Sequence, residues 1–383
     1  MSRILMRRGS ETAIATILAL TTGSAAFSAA LERAVPSTTR ILFEEGRYIE
    51  FGVNYADPDQ SGEGADLTAV GTPIQLEGDT GDLFDSHVGI SGAYKANIND
   101  RMSYAIILDQ PLGADTSYGA GTFDPLFGFT YDGSTADLDT YQFTGILAYD
   151  INNSFKVFGG LRAQRLDASA TIPFVSDYAV DADADWGYGY LVGGAYHMPE
   201  IALRVGLTYY SKIEHSLDLD ESSAAFGAQD TETDIDTPQS VTLDFQSGVA
   251  ENTLVFGSVR WVDWSEFAIN PDQYVALTGG RALVDYEEDW WTYSLGLAHR
   301  LTEKLAGSFS VTYEPSVDET LTTLGPYDGR TTATAALSYD IDDNLNITGG
   351  LTYGKLGDAE NLLETDFNDG SVWGAGVRVG WNF

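Results

Sequence analysis

The chain has 383 residues with 57 acidic and 20 basic side chains, so its formal net charge at pH 7 is −37. A charge of that size repels nucleic acid phosphates, and we expect no DNA or RNA partner. The absence of cysteine excludes disulfides and thiolate metal sites, and four histidines leave little for a histidine metal centre. We therefore expect no metal site and no cofactor.

The N-terminus predicts export. Three arginines within the first eight residues precede the apolar run 13–20, and small residues follow as far as Ala30. This order is typical of a secretory signal peptide, which we assign to residues 1–28, with cleavage between Ala26 and Ala30. A single membrane anchor is the alternative, but the run is shorter than the ~20 residues of a spanning helix. No later segment is apolar enough for such a helix, so further spans would be strands.

From Arg47 to Phe383 the sequence predicts β-strands. In the first strand Ile49, Phe51 and Val53 fall on one face, and the residues between them are acidic, small or polar. The same period of two recurs in fourteen segments, in which six short turns alternate with seven long connections. The predicted long connections are residues 57–86, 109–139, 167–185, 212–237, 264–286, 315–328 and 355–370.

An even number of strands, with short turns at one end and long connections at the other, is typical of transmembrane barrels. We therefore predict an all-β fold, a 14-stranded antiparallel transmembrane β-barrel with long external loops. Its apolar face would meet lipid, and its polar face would line the lumen. The basic residues predicted on the luminal face are Lys95, Lys156, Arg162, Arg204, Arg330 and Arg378.

The long connections carry most of the acidic residues but only three basic ones, Lys212, Arg281 and Lys355. Plain solvation of exposed loops explains this distribution. The alternative is that divalent cations bridge the loops to lipopolysaccharide, since hard cations prefer carboxylate oxygens. The acidic tracts 181–185 and 218–221 are the segments suited to that role, although neither has the spacing of a defined calcium loop.

Four stretches carry a family resemblance: residues 109–115 (DQPLGAD), 210–215 (YSKIEH), 237–248 (TPQSVTLDFQSG) and 259–267 (VRWVDWSEF). They resemble outer-membrane long-chain fatty acid transporters of the FadL type. The resemblance extends over nearly the whole exported chain and implies a fourteen-stranded barrel, a monomer and passive transport. The terminal Phe383 is shared by most bacterial barrels and implies recognition by the barrel assembly machinery.

The N-terminal segment departs from the family. FadL-type proteins typically place a longer plug with an Asn-Pro-Ala motif ahead of the first strand, and that motif is absent here. We expect residues 29–46 to form a short plug-like segment and residues 47–383 to form the barrel.

The resemblance implies that an apolar acid is captured by external loops, passed to a luminal site and released sideways at the third strand. For capture, two long connections are unusually apolar for exposed loops. These residues would either bind the cargo or pack as a lid over the barrel mouth. The candidates are Phe123, Leu126, Phe127, Phe129, Phe174, Val175 and Tyr178.

For the luminal site, a carboxylate needs a cationic donor, and the planar fork of arginine suits it. Our candidates are Arg162, Arg204, Arg260 and Lys212. The alternative is that each pairs with a carboxylate of the wall, such as Asp244.

For sideways release, Gln110, Pro111 and Gly113 lie where the third strand would continue outward. Proline lacks the N–H that a strand ladder needs, so it marks an edge, a bulge or a strand end. Pro111 would either open a gap in the wall or merely end the strand.

These features predict a passive transporter in the outer membrane of a Gram-negative bacterium. Its partners would be a long-chain fatty acid or another hydrophobic small molecule, together with outer-membrane lipids. The alternative is a general diffusion porin for small hydrophilic solutes, which would have a polar constriction rather than Phe-rich loops. We expect no enzymatic activity, because no Ser and His have spacing that suggests a nucleophile and its base.

Overall fold

The computed structural model describes residues 31–35, 38–66, 75–119, 131–317 and 320–383. Within these ranges no helix has the length and apolar character needed to cross a membrane. Among the described residues, the strands are accompanied by two helices, α1 (Thr38–Ile41) and α2 (Asp272–Thr278), and two 3₁₀ turns, Pro199–Ile201 and Trp264–Glu266. The strands are β1 (Tyr48–Asp66), β2 (Gln75–Asp79), β3 (His87–Asn97), β4 (Met102–Asp109), β5 (Gly113–Ser117), β6 (Thr135–Asp150), β7 (Phe155–Ile172), β8 (Tyr178–Met198), β9 (Leu203–Tyr210), β10 (Ile213–Ser223), β11 (Gly227–Thr237), β12 (Ser240–Ala250), β13 (Thr253–Val262), β14 (Ala268–Ile269), β15 (Val284–Asp285), β16 (Trp290–Arg300), β17 (Leu305–Glu314), β18 (Arg330–Asp340), β19 (Leu345–Leu356), β20 (Ala359–Glu360) and β21 (Asp366–Asn382).

Fourteen antiparallel strands close a barrel when β4 and β5, which both pair with β6, are counted as one. The order around the wall is β1, β3, β4/β5, β6, β7, β8, β9, β12, β13, β16, β17, β18, β19 and β21. The last strand returns to the first, with Tyr48 opposite Asn382 and Val53 opposite Val377. Closure pairs the first strand with the last, as a bilayer requires of a spanning sheet. The predicted fold class is confirmed.

The alternation of side chains decides which face meets lipid. Apolar side chains of the strands point outward, and Leu161 and Tyr188 are each 74% exposed. The intervening residues point into the lumen and are mostly Thr, Ser, Gln and charged residues. Each of the basic residues predicted on the luminal face is buried there: Lys95, Lys156, Arg162, Arg204, Arg330 and Arg378.

The short turns lie at one end of the barrel, and polar side chains stabilise several of them. The side-chain oxygen of Asn99 accepts hydrogen bonds from the backbone of Arg101 and Met102. Asn152 and Asp342 do the same in their own turns. Asn and Asp favour such turns because their short side chains reach the backbone two residues further on.

The long connections are shorter than the sequence predicts, because strands continue beyond the lipid-facing band. β7 and β8 run through most of the predicted connection 167–185, and only residues 173–177 join them. Likewise, β10 and β11 form a hairpin within 212–237. The prediction was wrong here because Asp is disfavoured in strands, although the alternation of Asp with apolar residues persists.

At the outer end, opposite the short turns, buried apolar side chains from the extended strands and the loops form one cluster. Aromatic rings run through it, with Trp264, Tyr286, Trp290 and Tyr327 in edge-to-face contact at centroid distances of 5.2 to 6.1 Å. Such contacts add to the stability gained from burial. The outer end of the described barrel is therefore packed with apolar side chains.

Candidate functional site

A space of about 630 Å³ lies within the apolar cluster, and we call it the outer cavity. Its walls are the outer ends of β5 to β8, the β10/β11 hairpin and the loops after β13 and β17. None of the described residues that line it is basic, and Asp137 is the acidic one among them. Its apolar lining residues include Leu31, Ala114, Ala136, Ala168, Ala170, Ala182, Leu217, Leu219, Ile235 and Tyr286.

Small side chains create this space. On β8, Asp181 and Asp183 are exposed, whereas Ala182 between them is buried and lines the cavity. On β6, Ala136 and Leu138 share one face and line the cavity. In the tract 181–185 the acidic residues were considered for a role, and the alanines between them were missed. The repeated Asp-Ala pattern was the signal, since alanines facing each other from several strands leave a void.

The predicted capture residues fall into two groups. Phe123, Leu126, Phe127 and Phe129 lie outside the described residues. Phe174 and Val175 are partly buried against the outer cluster. Tyr178 is fully buried, and its hydroxyl donates to Glu221 at 2.8 Å, so it is not available at the surface. The structure places these last three residues in the packing over the barrel mouth, not in the lining of the outer cavity.

The wall has a gap at the third strand. β4 ends at Asp109 and β5 begins at Gly113, and Gln110 and Pro111 interrupt the strand. The ladder between β3 and β4 extends outward only to the pair Gly92 and Leu108. Beyond it, the residues of β3 pair only with β1, and the side-chain oxygen of Gln110 accepts the N–H of Ile90 at 2.9 Å. A second space of about 960 Å³ lies at this gap, and we call it the side cavity.

Residues 31–35 lie between the two cavities, and we call them the N-terminal strap. The strap pairs with the interrupted strand: Gly113 donates its N–H to Leu31 at 2.9 Å, and Arg33 donates its N–H to Pro111 at 2.8 Å. Leu31 lines the outer cavity, whereas Arg33, Ala34 and Val35 line the side cavity. The strap therefore separates the two spaces.

Three ion pairs hold the strap. Glu32 binds Arg260 of β13, whose Nε lies 3.1 Å from both carboxylate oxygens. Arg33 binds Asp115 at 2.6 Å and Asp139 at 3.5 Å. Its guanidinium lies over Gly113, where a Cβ would collide with it. Glycine at this position is explained by that close approach.

The four predicted carboxylate-binding cations do not converge on one site. Arg260 is paired with Glu32 of the strap. Arg162 binds Gln142 at 2.8 and 3.1 Å and the carbonyl of Ser211 at 3.0 Å. Lys212 is half-exposed and pairs with two surface carboxylates, so it is not luminal. It lies in the interruption between β9, which ends at Tyr210, and β10, which begins at Ile213. Arg204 lies near the opposite end of the lumen, against Phe43.

The inner half of the lumen is polar and holds residues 38–46. Tyr210 donates its hydroxyl to Thr38 of α1 at 2.9 Å, and Thr39 donates to Asp244 at 2.6 Å. Arg40 pairs with Glu44 at 3.0 Å and with Glu50 of β1. Burial raises the pKa of Glu44, and Arg40 opposes that shift. These contacts fix α1 against the wall.

No three His, Asp or Glu side chains of the described residues are grouped so as to hold a metal ion. The cavities, rather than a cluster of reactive groups, are therefore the sites to compare with known proteins.

Solved structures share this architecture at low sequence identity. A FadL homologue from Pseudomonas aeruginosa matches with a TM-score of 0.72 and 16% identity, over 90% of this chain and 92% of that one. The toluene transporter TodX from Pseudomonas putida matches with a TM-score of 0.62 and 16% identity, over 89% and 91%. The toluene transporter TbuX from Ralstonia pickettii gives 0.62 and 14%, over 93% and 96%. No curated protein sequence matches significantly.

Fold and cavities together define a transport barrel of the outer-membrane type. The sequence profile of the outer membrane protein transport proteins (OMPP1/FadL/TodX) matches residues 36–372. The chain belongs to this family, which is one of transport proteins rather than enzymes. The predicted family resemblance is confirmed.

Proposed function

We propose that this protein resides in the outer membrane of a Gram-negative bacterium and passively transports long-chain fatty acids or similar hydrophobic compounds. The outer cavity carries this proposal, because an apolar space without a basic lining side chain suits a hydrocarbon.

The proposed route runs from the outer cavity, past the N-terminal strap, to the side cavity and through the gap in the wall. Leu31, at one end of the strap, lines the outer cavity, and Val35, at the other end, lines the side cavity. Displacement of the strap would therefore join the two cavities. At the gap, Gln110 supplies the single acceptor that replaces the missing ladder next to Ile90. Cargo would leave between β3 and the interrupted strand into the bilayer.

A general diffusion porin is less consistent with these features. A porin keeps a polar, water-filled lumen, whereas the described outer end is packed with apolar side chains. A small or undetectable single-channel conductance in planar bilayers, together with uptake of a labelled fatty acid, is the result we expect. A large ohmic conductance without such uptake would favour the porin.

Locking the strap tests the route. Glu32 and Leu112 form an antiparallel bridge, so their Cα atoms lie within the range of a disulfide. The chain has no cysteine, and the double variant Glu32→Cys/Leu112→Cys therefore forms one defined disulfide. We expect uptake of labelled oleate into proteoliposomes to stop on oxidation and to return on reduction.

The variant Phe84→Cys/Thr116→Cys is the matched control, because this second bridge joins a loop to β5 without involving the strap. Its uptake should be the same in the oxidised and reduced states. Equal uptake by the oxidised and reduced forms of the strap variant would contradict the route.

A further inference from the structure

Asp109 is a buried carboxylate with an open acceptor. It ends β4 on the luminal face of the wall and is 8% exposed. Among the described residues its one hydrogen-bond partner is Gln142, whose Nε2 donates to Oδ1 at 3.3 Å. A carboxylate has about four acceptor positions, and buried acceptors are nearly always satisfied. The second oxygen, Oδ2, is therefore open to a donor from outside the chain.

Arg162 balances the charge of Asp109 without occupying its oxygens. The two side chains attract each other. Within the described chain, however, the hydrogen bonds of Arg162 go to Gln142 and to the carbonyl of Ser211. Asp109 is thus compensated as a charge but not satisfied as an acceptor. Glu314 differs, because it accepts directly from an arginine.

The side cavity connects Asp109 with the lipid-facing surface. Asp109 lines this space on the luminal side. Val53, Val88 and Ile90 line it as well, and they are 55%, 60% and 46% exposed on the lipid-facing side of the wall. The side cavity is therefore polar at its inner end and apolar at its outer end, which suits an amphipathic molecule.

The arginines that line the side cavity have carboxylate partners within the chain. The pairs are Arg33 with Asp115, Arg40 with Glu50, and Arg378 with Glu50. Their charges are therefore compensated. Of the two carboxylates in the described lining, Glu50 is paired and Asp109 is open.

The charges at Asp109 decide which polar group fits there. A carboxylate would meet the like charge of Asp109, and an ammonium would meet the like charge of Arg162. A neutral hydroxyl avoids both repulsions. Its O–H can donate to Oδ2 in a charge-assisted hydrogen bond, which is stronger than a bond between neutral groups.

We propose that Asp109 selects hydrophobic cargo that carries a neutral hydroxyl, such as a long-chain alcohol. Oδ2 accepts the hydroxyl proton in a hydrogen bond, and the hydrocarbon extends past Val88 and Ile90 toward the lipid. The inference rests on the proposed function in taking the side cavity as the exit of the cargo. It narrows the cargo class, because a fatty acid anion leaves this exit less readily than the alcohol of the same length.

The test compares 1-tridecanol with its isomer dodecyl methyl ether, which has the same atoms but no hydroxyl donor. Both are titrated into the purified full-length protein in detergent. We expect the alcohol to bind about tenfold more tightly, since hydrogen bonds to charged groups are the stronger class. Asp109→Asn should reduce this preference to about threefold or less, because a neutral acceptor remains, and Asp109→Leu should abolish it. Equal affinities of the two isomers for the unmodified protein would overturn the inference.

Tridecanoate separates selection from a structural role of Asp109. Asp109→Asn removes a negative charge, so tridecanoate should bind several-fold more tightly to this variant while tridecanol binds more weakly. A parallel loss of both affinities would show that Asp109 only supports the fold. Asp244→Asn is the matched control, because Asp244 is a partly buried luminal carboxyl that accepts from Thr39 and lines neither cavity. It should leave the affinity ratios unchanged.

Binding in the outer cavity is separated by a further variant. Ala170→Phe fills that cavity, and the preference for the alcohol should persist in it. Loss of the preference in Ala170→Phe would assign the hydroxyl to the outer cavity and contradict the inference. Equal binding of the isomers refutes the inference alone, whereas failure of the unmodified protein to bind either isomer would refute the proposed function as well.

Discussion

The outer and inner halves of the lumen are built from opposite chemistry on the same fourteen strands. In the outer half, alanines and branched apolar residues surround an empty space. In the inner half, Arg40, Glu44 and Glu50 form ion pairs that fix α1 against the wall. The difference shows that small apolar residues leave a space inside the barrel, whereas buried ion pairs hold a chain segment against its wall.

The contrast has a physical basis. A buried ion is stable only with partners at fixed positions, so the segment that carries Arg40 has little freedom. Apolar contacts lack direction, and a cavity between apolar side chains costs stability but leaves no polar group unsatisfied. We expect motion and binding in the outer half and rigidity in the inner half.

The largest expected effect comes from breaking the inner ion pairs. Arg40→Leu leaves Glu44 and Glu50 without their shared partner. Removing one member of a buried pair typically lowers the free energy of unfolding by about 3–5 kcal/mol. Urea unfolding in lipid vesicles measures this, with exposed Arg47→Leu as the control. If Arg40→Leu and Arg47→Leu lower the free energy of unfolding by similar amounts, the buried ion pairs do not stabilise the inner half.

Filling the outer cavity should reduce transport strongly while changing the stability only moderately. Ala170→Phe places a large ring where an alanine lines the cavity. We expect uptake of labelled fatty acid to fall about tenfold or more, with a stability change of about 1–3 kcal/mol from overpacking. Ala163→Phe, on the lipid-facing side of β7, should leave uptake unchanged. Normal uptake by Ala170→Phe would show that cargo does not pass through this cavity.

A substitution at the gap in the third strand should have a smaller effect on uptake and stability. Pro111→Val restores a backbone donor where the strand is interrupted. One added hydrogen bond is worth about 0.5–1.5 kcal/mol, so we expect a small gain in stability and a fall in uptake of several-fold. Equal uptake at equal surface expression would mean that Pro111 only ends the strand.

The smallest effect concerns the charge on the outside of the barrel. Asp220 lies directly opposite Asp181 on one side and Asp230 on the other. Like charges in such positions repel by about 0.2–1 kcal/mol, so Asp220→Asn should raise the free energy of unfolding by that amount at low salt. The gain should shrink at high salt. Asp343→Asn, in a short turn, is the control and should have no effect.

Much of the architecture could be predicted from local pattern. The period of two specified the lipid-facing and luminal faces, and the luminal positions of Lys95 and Arg378 agree with it. Pro111 marked the interruption of the third strand. Lys212 was a candidate for the luminal site but is half-exposed, and it lies where the strand is interrupted between β9 and β10.

Alternation along one strand is a property of neighbouring residues, and the sequence alone therefore determined the barrel, its strand number and its two faces. Whether a luminal arginine or lysine has a carboxylate partner depends on residues far apart in the chain. Glu32 reaches Arg260 across 228 positions, and nothing in the spacing of either indicates the other. The outer cavity likewise needs alanines from several strands to meet. Only the tertiary structure decided these features, because they follow from closure of the wall around the N-terminal strap.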